Sequence, residues 1–141
     1  MMISTSRLRD VIGVMGLLLV VSGCSSEPLG TAAGKVTYKG APVTEGSVEF
    51  SNSESGLTYL TDLQSDGSFK FEVAQGVGVP PGTYSVAIQP PRIKPGLGYI
   101  PPNKSAGDYP NIPRKYRSSK SSGFSASVKT GSNEPFVFEM N

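Results

Sequence analysis

The chain has 141 residues, which suits one domain and leaves little room for two. Hydrophobic residues make up 37% and charged residues 17%, so it is neither a membrane bundle nor a charge-rich disordered tail. With a net charge of +2, no His, no Trp and one Cys, it cannot use imidazole acid–base chemistry, imidazole metal sites, internal disulfides or multi-thiolate clusters.

Met1 to Asp10 carries Arg7 and Arg9 against one acid, Asp10. An uncharged run follows from Val11 to Val21. It is too short for a lasting bilayer span, which takes about 20 apolar residues, but it suits the apolar core of a signal peptide. The run closes on Val21-Ser22-Gly23-Cys24. These four residues resemble the lipobox of bacterial lipoproteins: an aliphatic residue, two small ones, then Cys. Small side chains let the backbone enter a narrow processing site, and a thiol becomes a good nucleophile once deprotonated. The resemblance implies a signal peptide over 1–23, read as a helix, cleaved between Gly23 and Cys24. It further implies acylation of Cys24 and attachment to membrane lipid. An ordinary secretory signal with an incidental Cys is the plainer alternative. Ser25 stands where Asp retains such proteins in the inner membrane of many diderm bacteria, so the resemblance favours the outer membrane.

Residues 24–33 lack any period and read as a short tether. From Gly34 the pattern is apolar alternation broken by turns. Seven strands are predicted, around Lys35–Lys39, Ser47–Phe50, Leu57–Asp62, Phe69–Phe71, Tyr84–Ile88, Phe124–Val128 and Phe136–Met140. The third has an ambiguous register, because Leu57, Tyr59 and Leu60 do not share a face. Asp66-Gly67 predicts a type I′ hairpin turn. The expected inward set is Val36, Tyr38, Val48, Phe50, Phe69, Phe71, Tyr84, Val86, Ile88, Phe124, Val128, Phe136 and Phe138. No helical period follows the apolar run, so the fold class is all-β, a sandwich.

Between residues 90 and 122 the alternation stops, and seven of the twelve prolines fall there. So long a connection is either functional or mobile. Charge is segregated too. Residues 24–72 carry a net −4 and residues 73–141 a net +5. Arg92, Lys94, Lys104, Arg114, Lys115, Arg117 and Lys120 face only Asp108, with Tyr99, Tyr109 and Tyr116 between them. Arg92, Lys94, Arg114, Lys115, Tyr116, Arg117 and Lys120 are therefore the candidate contacts for an anionic envelope polymer, lipid head groups or a protein partner. The plainer reading is a solvated loop pinned to the sandwich by Ile112-Pro113 and Tyr116.

Other chemistry is thin. No Ser stands three residues before a Lys, as the Ser-x-x-Lys nucleophile pattern requires. Asp62 and Asp66 flank a turn without the intervening acid of a calcium loop, and Asp is favoured at turns in any case. Gly76-Val77-Gly78 and Gly96-Leu97-Gly98 open no helix and are no phosphate loops.

Several turn motifs together resemble a known domain family. Gly34-Lys35-Val36-Thr37-Tyr38-Lys39-Gly40 with Pro42-Val43 and Gly46-Ser47-Val48-Glu49-Phe50 is similar to the opening of carboxypeptidase-regulatory-like domains. Thr61-Asp62 with Asp66-Gly67-Ser68-Phe69 resembles their central turn, and Pro80-Pro81-Gly82-Thr83-Tyr84-Ser85-Val86 their Gly-x-Tyr strand start. Ile112-Pro113-Arg114-Lys115-Tyr116 and Ser122-Gly123-Phe124 resemble the C-terminal part in small bacterial lipoproteins. The resemblance covers residues 34–141. It implies a transthyretin-like (prealbumin-like) sandwich of seven strands in Greek-key order, with no catalytic residue and no cofactor. The expected function is a non-enzymatic, lipid-anchored envelope protein, structural or binding. An accessory subunit docking an envelope enzyme or transporter is the alternative, as is a glycan or small-ligand module. Nucleic acid is disfavoured by the compartment, and a transthyretin-like hydrolase by the missing His.

Overall fold

The computed structural model describes residues 23, 28–94, 96, 98, 99, 101 and 109–141. Of the expected signal helix over 1–23, residues 1–22 lie outside the described residues, as does Cys24. Within them the structure is all-β.

All seven predicted strands are present: β1 (Ala33–Tyr38), β3 (Ser47–Ser51), β4 (Thr58–Asp62), β5 (Ser68–Lys70), β8 (Gly82–Gln89), β11 (Phe124–Val128) and β12 (Phe136–Met140). Five two-residue pieces join them: β2 (Ala41–Pro42), β6 (Glu72–Val73), β7 (Gly76–Val77), β9 (Ile93–Lys94) and β10 (Gly98–Tyr99). β6 pairs with β7 and β9 with β10, each as a small hairpin.

Two sheets result. In the first, β1 is central. It pairs in parallel with β12, from Gly34 opposite Phe136 to Tyr38 opposite Met140. Its other edge pairs antiparallel with β5 and then β2. The second sheet runs β11–β8–β3–β4, antiparallel throughout.

The inner faces meet in an aromatic core. Phe50 of β3 lies 4.6 Å from Phe71 and 5.5 Å from Tyr84, measured between ring centroids. The rings of Phe136 and Phe138, across from it on β12, are 5.9 and 6.2 Å away. Offset and edge-on aromatic pairs at such separations add about 0.5–1.5 kcal/mol beyond area burial. Ten of the thirteen expected inward residues are buried, and Tyr38, Phe124 and Phe136 pack half-buried against them. The β4 register is resolved: Tyr59 packs on the core, while Leu57 and Leu60 are 53% and 42% exposed.

Close approach of β1 to β12 depends on Gly34. A Cβ there would sit 1.9 Å from the Phe136 carbonyl oxygen, so only a residue without one fits the register.

Two expectations change. The type I′ hairpin turn is not at Asp66-Gly67, since Asp66 has no positive φ. That pair turns the chain from one sheet to the other: β4 pairs with β3, whereas β5 pairs with β1. Asp66 acts through its side chain, its carboxylate accepting from the Ser68 backbone N–H at 3.0 Å and the Ser68 hydroxyl at 2.6 Å. The two-residue turn with positive φ at both positions is Lys39 (49°) and Gly40 (82°), between β1 and β2.

The stretch 24–33 is also shorter as a tether than its composition suggests. Gly30 bridges both Val79 and Gly131. Its N–H donates to the Val79 carbonyl at 2.8 Å, and Ala32 is buried. The packed body therefore begins at Gly30.

Strand direction gives the sandwich two distinct ends. Gly30, β6–β7, the 52–57 loop and the 129–135 loop gather at one, because β1 and β8 start there and β3 and β11 finish there. Gln89, the Lys39-Gly40 turn, the 63–67 turn and the 90–123 connection lie at the other.

Candidate functional site

The candidate site is the Gln89 end, where the Pro-rich connection leaves β8 and returns to β11. Among the described residues, regular pairing there is limited to the short β9–β10 hairpin, as the proline spacing dictates. Local packing takes over. Ile112 is fully buried and belongs to the core. Gly46, at φ 120°, makes room for it, since a Cβ at Gly46 would meet the Gln89 carbonyl oxygen at 2.5 Å and Ile112 Cδ1 at 3.2 Å. Pro113 then starts a single 3₁₀ turn, Arg114–Arg117.

That turn faces two ways. Inward, the ring of Tyr116 stacks on Phe124 at 5.0 Å and 15°. Its hydroxyl accepts from the Asn141 backbone N–H at 3.2 Å. Lys115 first, and that N–H second, lower the Tyr116 pKa below its ordinary value. Arg117 Nε donates to the Ile112 carbonyl at 2.8 Å, and Nη2 donates to the Tyr109 carbonyl at 3.1 Å. Loss of hydration lowers the Arg117 pKa, with a smaller contribution from Arg114. The Ser122 hydroxyl bonds the Val86 carbonyl and accepts from the Phe124 N–H at 3.1 Å. The Ser121 hydroxyl donates to the Lys115 carbonyl at 2.7 Å. Residues 109–123 are thus clasped onto the sandwich, as Ile112-Pro113 and Tyr116 led one to expect.

Outward, Arg114, Lys115 and Lys120 are exposed. Lys115 Nζ stands 4.6 Å from the centre of the Tyr116 ring, a cation–π contact. No acidic residue occurs between Tyr109 and Asn133 in the sequence. Among the described residues the ion pair found is Lys70–Glu72, 3.3 Å apart, on strands that run toward the Gly30 end. Beside the clasp lies a groove of about 500 Å³, lined by Thr44, Glu45, Leu60, Asp62, Arg92 and Tyr109.

The seven candidate contacts therefore divide. Arg114, Lys115, Lys120 and Arg92 are exposed at the Gln89 end. Tyr116 and Arg117 hold the loop. Lys94 belongs to β9, and Lys104 lies outside the described residues, as does the lipidation residue Cys24. Gly23 is exposed. The groove was missed from sequence, because its lining comes from segments far apart in the chain: the link before β3, strand β4 and the 90–123 connection. Among the described residues, no three His, Cys, Asp or Glu side chains gather as a metal site would require. None of the described helices is long and apolar enough to cross a membrane. Comparison with known proteins finds no matching family model and no match among curated proteins or solved structures.

Proposed function

We propose that this protein is a non-enzymatic envelope lipoprotein, in which an acylated Cys24 tethers a small β-sandwich that serves as a binding or structural module. The observation that carries the reading is the distance along the chain from Cys24 to the packed body. Cys24 stands behind Val21-Ser22-Gly23 and only six residues before Gly30, the first bridged residue. Six residues reach at most about 20 Å, so an acylated Cys24 would hold the Gly30 end close to the bilayer. Two or more acyl chains would make that attachment lasting. Ser25, rather than Asp, supports the outer membrane as its place.

The fold reading within this proposal is a transthyretin-like Greek key of the carboxypeptidase-regulatory-like kind. Strand order supports it. β3, β4 and β5 follow one another, with Thr61 Oγ1 of β4 donating to the Lys70 carbonyl of β5 at 2.8 Å. β8 then returns to lie beside β3, as a Greek key requires. The non-enzymatic reading is supported by the employment of polar side chains in turns and clasps: Asp66 binds Ser68, and Ser122 binds Val86 and Phe124. An accessory docking subunit is the second reading, favoured by the groove and by exposed Leu60 on its wall.

Mass spectrometry of the native protein tests the anchor. A mature N-terminal Cys24 bearing diacylglyceryl and an N-acyl chain is expected, and Cys24→Ala should move the protein from membrane to soluble fractions. An unmodified Cys24, or a Cys24→Ala protein that stays with membranes, overturns the reading. Co-purification from solubilised envelope with a stoichiometric enzyme or transporter would favour the docking subunit.

A further inference from the structure

We propose that the Gln89 end binds a carboxylated glycan lying beyond the anchoring bilayer, and not the head groups of that bilayer. The inference rests on the lipid-anchor reading and deepens it. Gly30 and the cations Arg92, Arg114, Lys115 and Lys120 sit at opposite ends of the same strands. Gly30 is bridged to Val79 and Gly131, just before β8 starts and just after β11 finishes. Arg92 follows the far end of β8, and the Arg114–Arg117 turn precedes the near-neighbour start of β11. The eight residues of β8 span about 25 Å. That is about three times the Debye length of about 8 Å at physiological ionic strength. Cations so placed are screened from a bilayer at the Gly30 end.

The side chains fit a sugar polymer with acidic groups. Arg114, Lys115 and Lys120 project from a turn that Tyr116, Arg117 and Ser122 hold rigid, so little ordering is needed on binding. Exposed Ser118 lies between Lys115 and Lys120 in the chain and adds a hydroxyl to the surface. Tyr109 links the turn to the groove containing Arg92: its carbonyl is held by Arg117 and its side of the loop lines that groove. Tyr99 of β10, seven residues after Arg92, is 66% exposed and offers a face for stacking on a sugar ring. At the Gly30 end Glu72 pairs with Lys70, and exposed Glu54 and Glu134 stand with exposed Lys129, so that end carries no net basic patch for anionic head groups.

The test uses the full protein, purified in detergent and also loaded into phosphatidylcholine vesicles, with soluble polygalacturonate as the probe. Binding should weaken at least threefold between 50 and 150 mM salt. The triple variant Arg114→Gln/Lys115→Gln/Lys120→Gln should lose at least tenfold in affinity. Lys70→Gln/Lys129→Gln, at the opposite end, should bind as the unaltered protein does. Vesicle-anchored protein should capture the probe as well as detergent-solubilised protein does, and phosphatidylglycerol in the same vesicles should leave capture intact. Equal binding by the triple variant overturns the glycan site. Loss of capture on adding phosphatidylglycerol overturns the outward placement, since the cations would then be lying on their own membrane. An unacylated protein that fails to load into vesicles yet still binds the probe overturns the anchor alone, so the two failures are distinguishable.

Discussion

The Arg117 guanidinium holds Ile112 by its backbone: Nε donates to the Ile112 carbonyl oxygen over 2.8 Å while Nη2 reaches the Tyr109 carbonyl at 3.1 Å. A residue that contributes to the basic count of the loop is thereby a fastener of the loop. Hydrogen bonds from a charged donor contribute about 1.5–3 kcal/mol each. Arg117→Lys keeps the charge but loses the planar fork. We expect Arg117→Lys to cost about 2 kcal/mol in urea unfolding and to expose residues 109–120 to protease. Unchanged stability together with weakened polyanion binding would return Arg117 to the ligand surface.

The Lys39-Gly40 turn carries a local conflict. Lys39 has φ 49°, a left-handed conformation that costs an ordinary side chain about 1–2 kcal/mol. Asn tolerates it, and Asn-Gly is the preferred pair for this turn. Lys39→Asn gives up one cation–π contact, Nζ to the Tyr38 ring at 5.3 Å. It should still stabilise the domain by about 0.5–1 kcal/mol, read as a Tm higher by several degrees. A lower Tm would show that the Tyr38 contact outweighs the backbone term.

Gly34→Ala tests the parallel pairing of β1 with β12. The added methyl would collide with the Phe136 carbonyl, which is backbone and cannot swing aside. Overpacking of this kind costs about 3 kcal/mol and here also opens a ladder. The expected result is a lower denaturation midpoint with early hydrogen exchange in β12. Near-normal stability would mean that the two strands can separate without loss.

Acid should loosen the turn at Asp66. Its carboxyl is held below the usual range, first by the Ser68 hydroxyl, then by the Ser68 backbone N–H. A pKa lower in the folded than in the unfolded state gives stability that is present above the unfolded value of about 3.9 and lost as pH falls through the folded one. The Asp66→Asn protein should therefore lack part of the stability gained between very acid pH and pH 4. Identical acid unfolding curves for the two proteins would rule out this contribution.

Strand positions and inward faces were legible because alternation reports which side of a pleat a residue occupies. Phe50, Tyr84 and Phe138 needed nothing more. Neighbour relations were not legible, since period-2 patterning is the same for any partner. Nothing in Gly34 and Phe136 announces that they face each other across about a hundred residues. The Asp66-Gly67 signal misled for a related reason: a turn dipeptide shows that the chain bends, not whether the following strand stays in the same sheet. Val43 and Val79, fully buried, stand alone among Gly and Pro and have no period to betray them. At the candidate site, counting cations found the basic segment. Only the hydrogen bonds of Arg117 separate the cation that turns inward from Arg114, Lys115 and Lys120.

The first long strand of the sandwich lies against the last. Until Phe136–Met140 has emerged from the ribosome, β1 lacks the partner along one whole edge, and the aromatic cluster lacks two of its rings. Contacts so remote in sequence form slowly. A chain of this design cannot complete its sandwich until β12 is available to β1, so partial chains ending before Phe136 should stay open to protease.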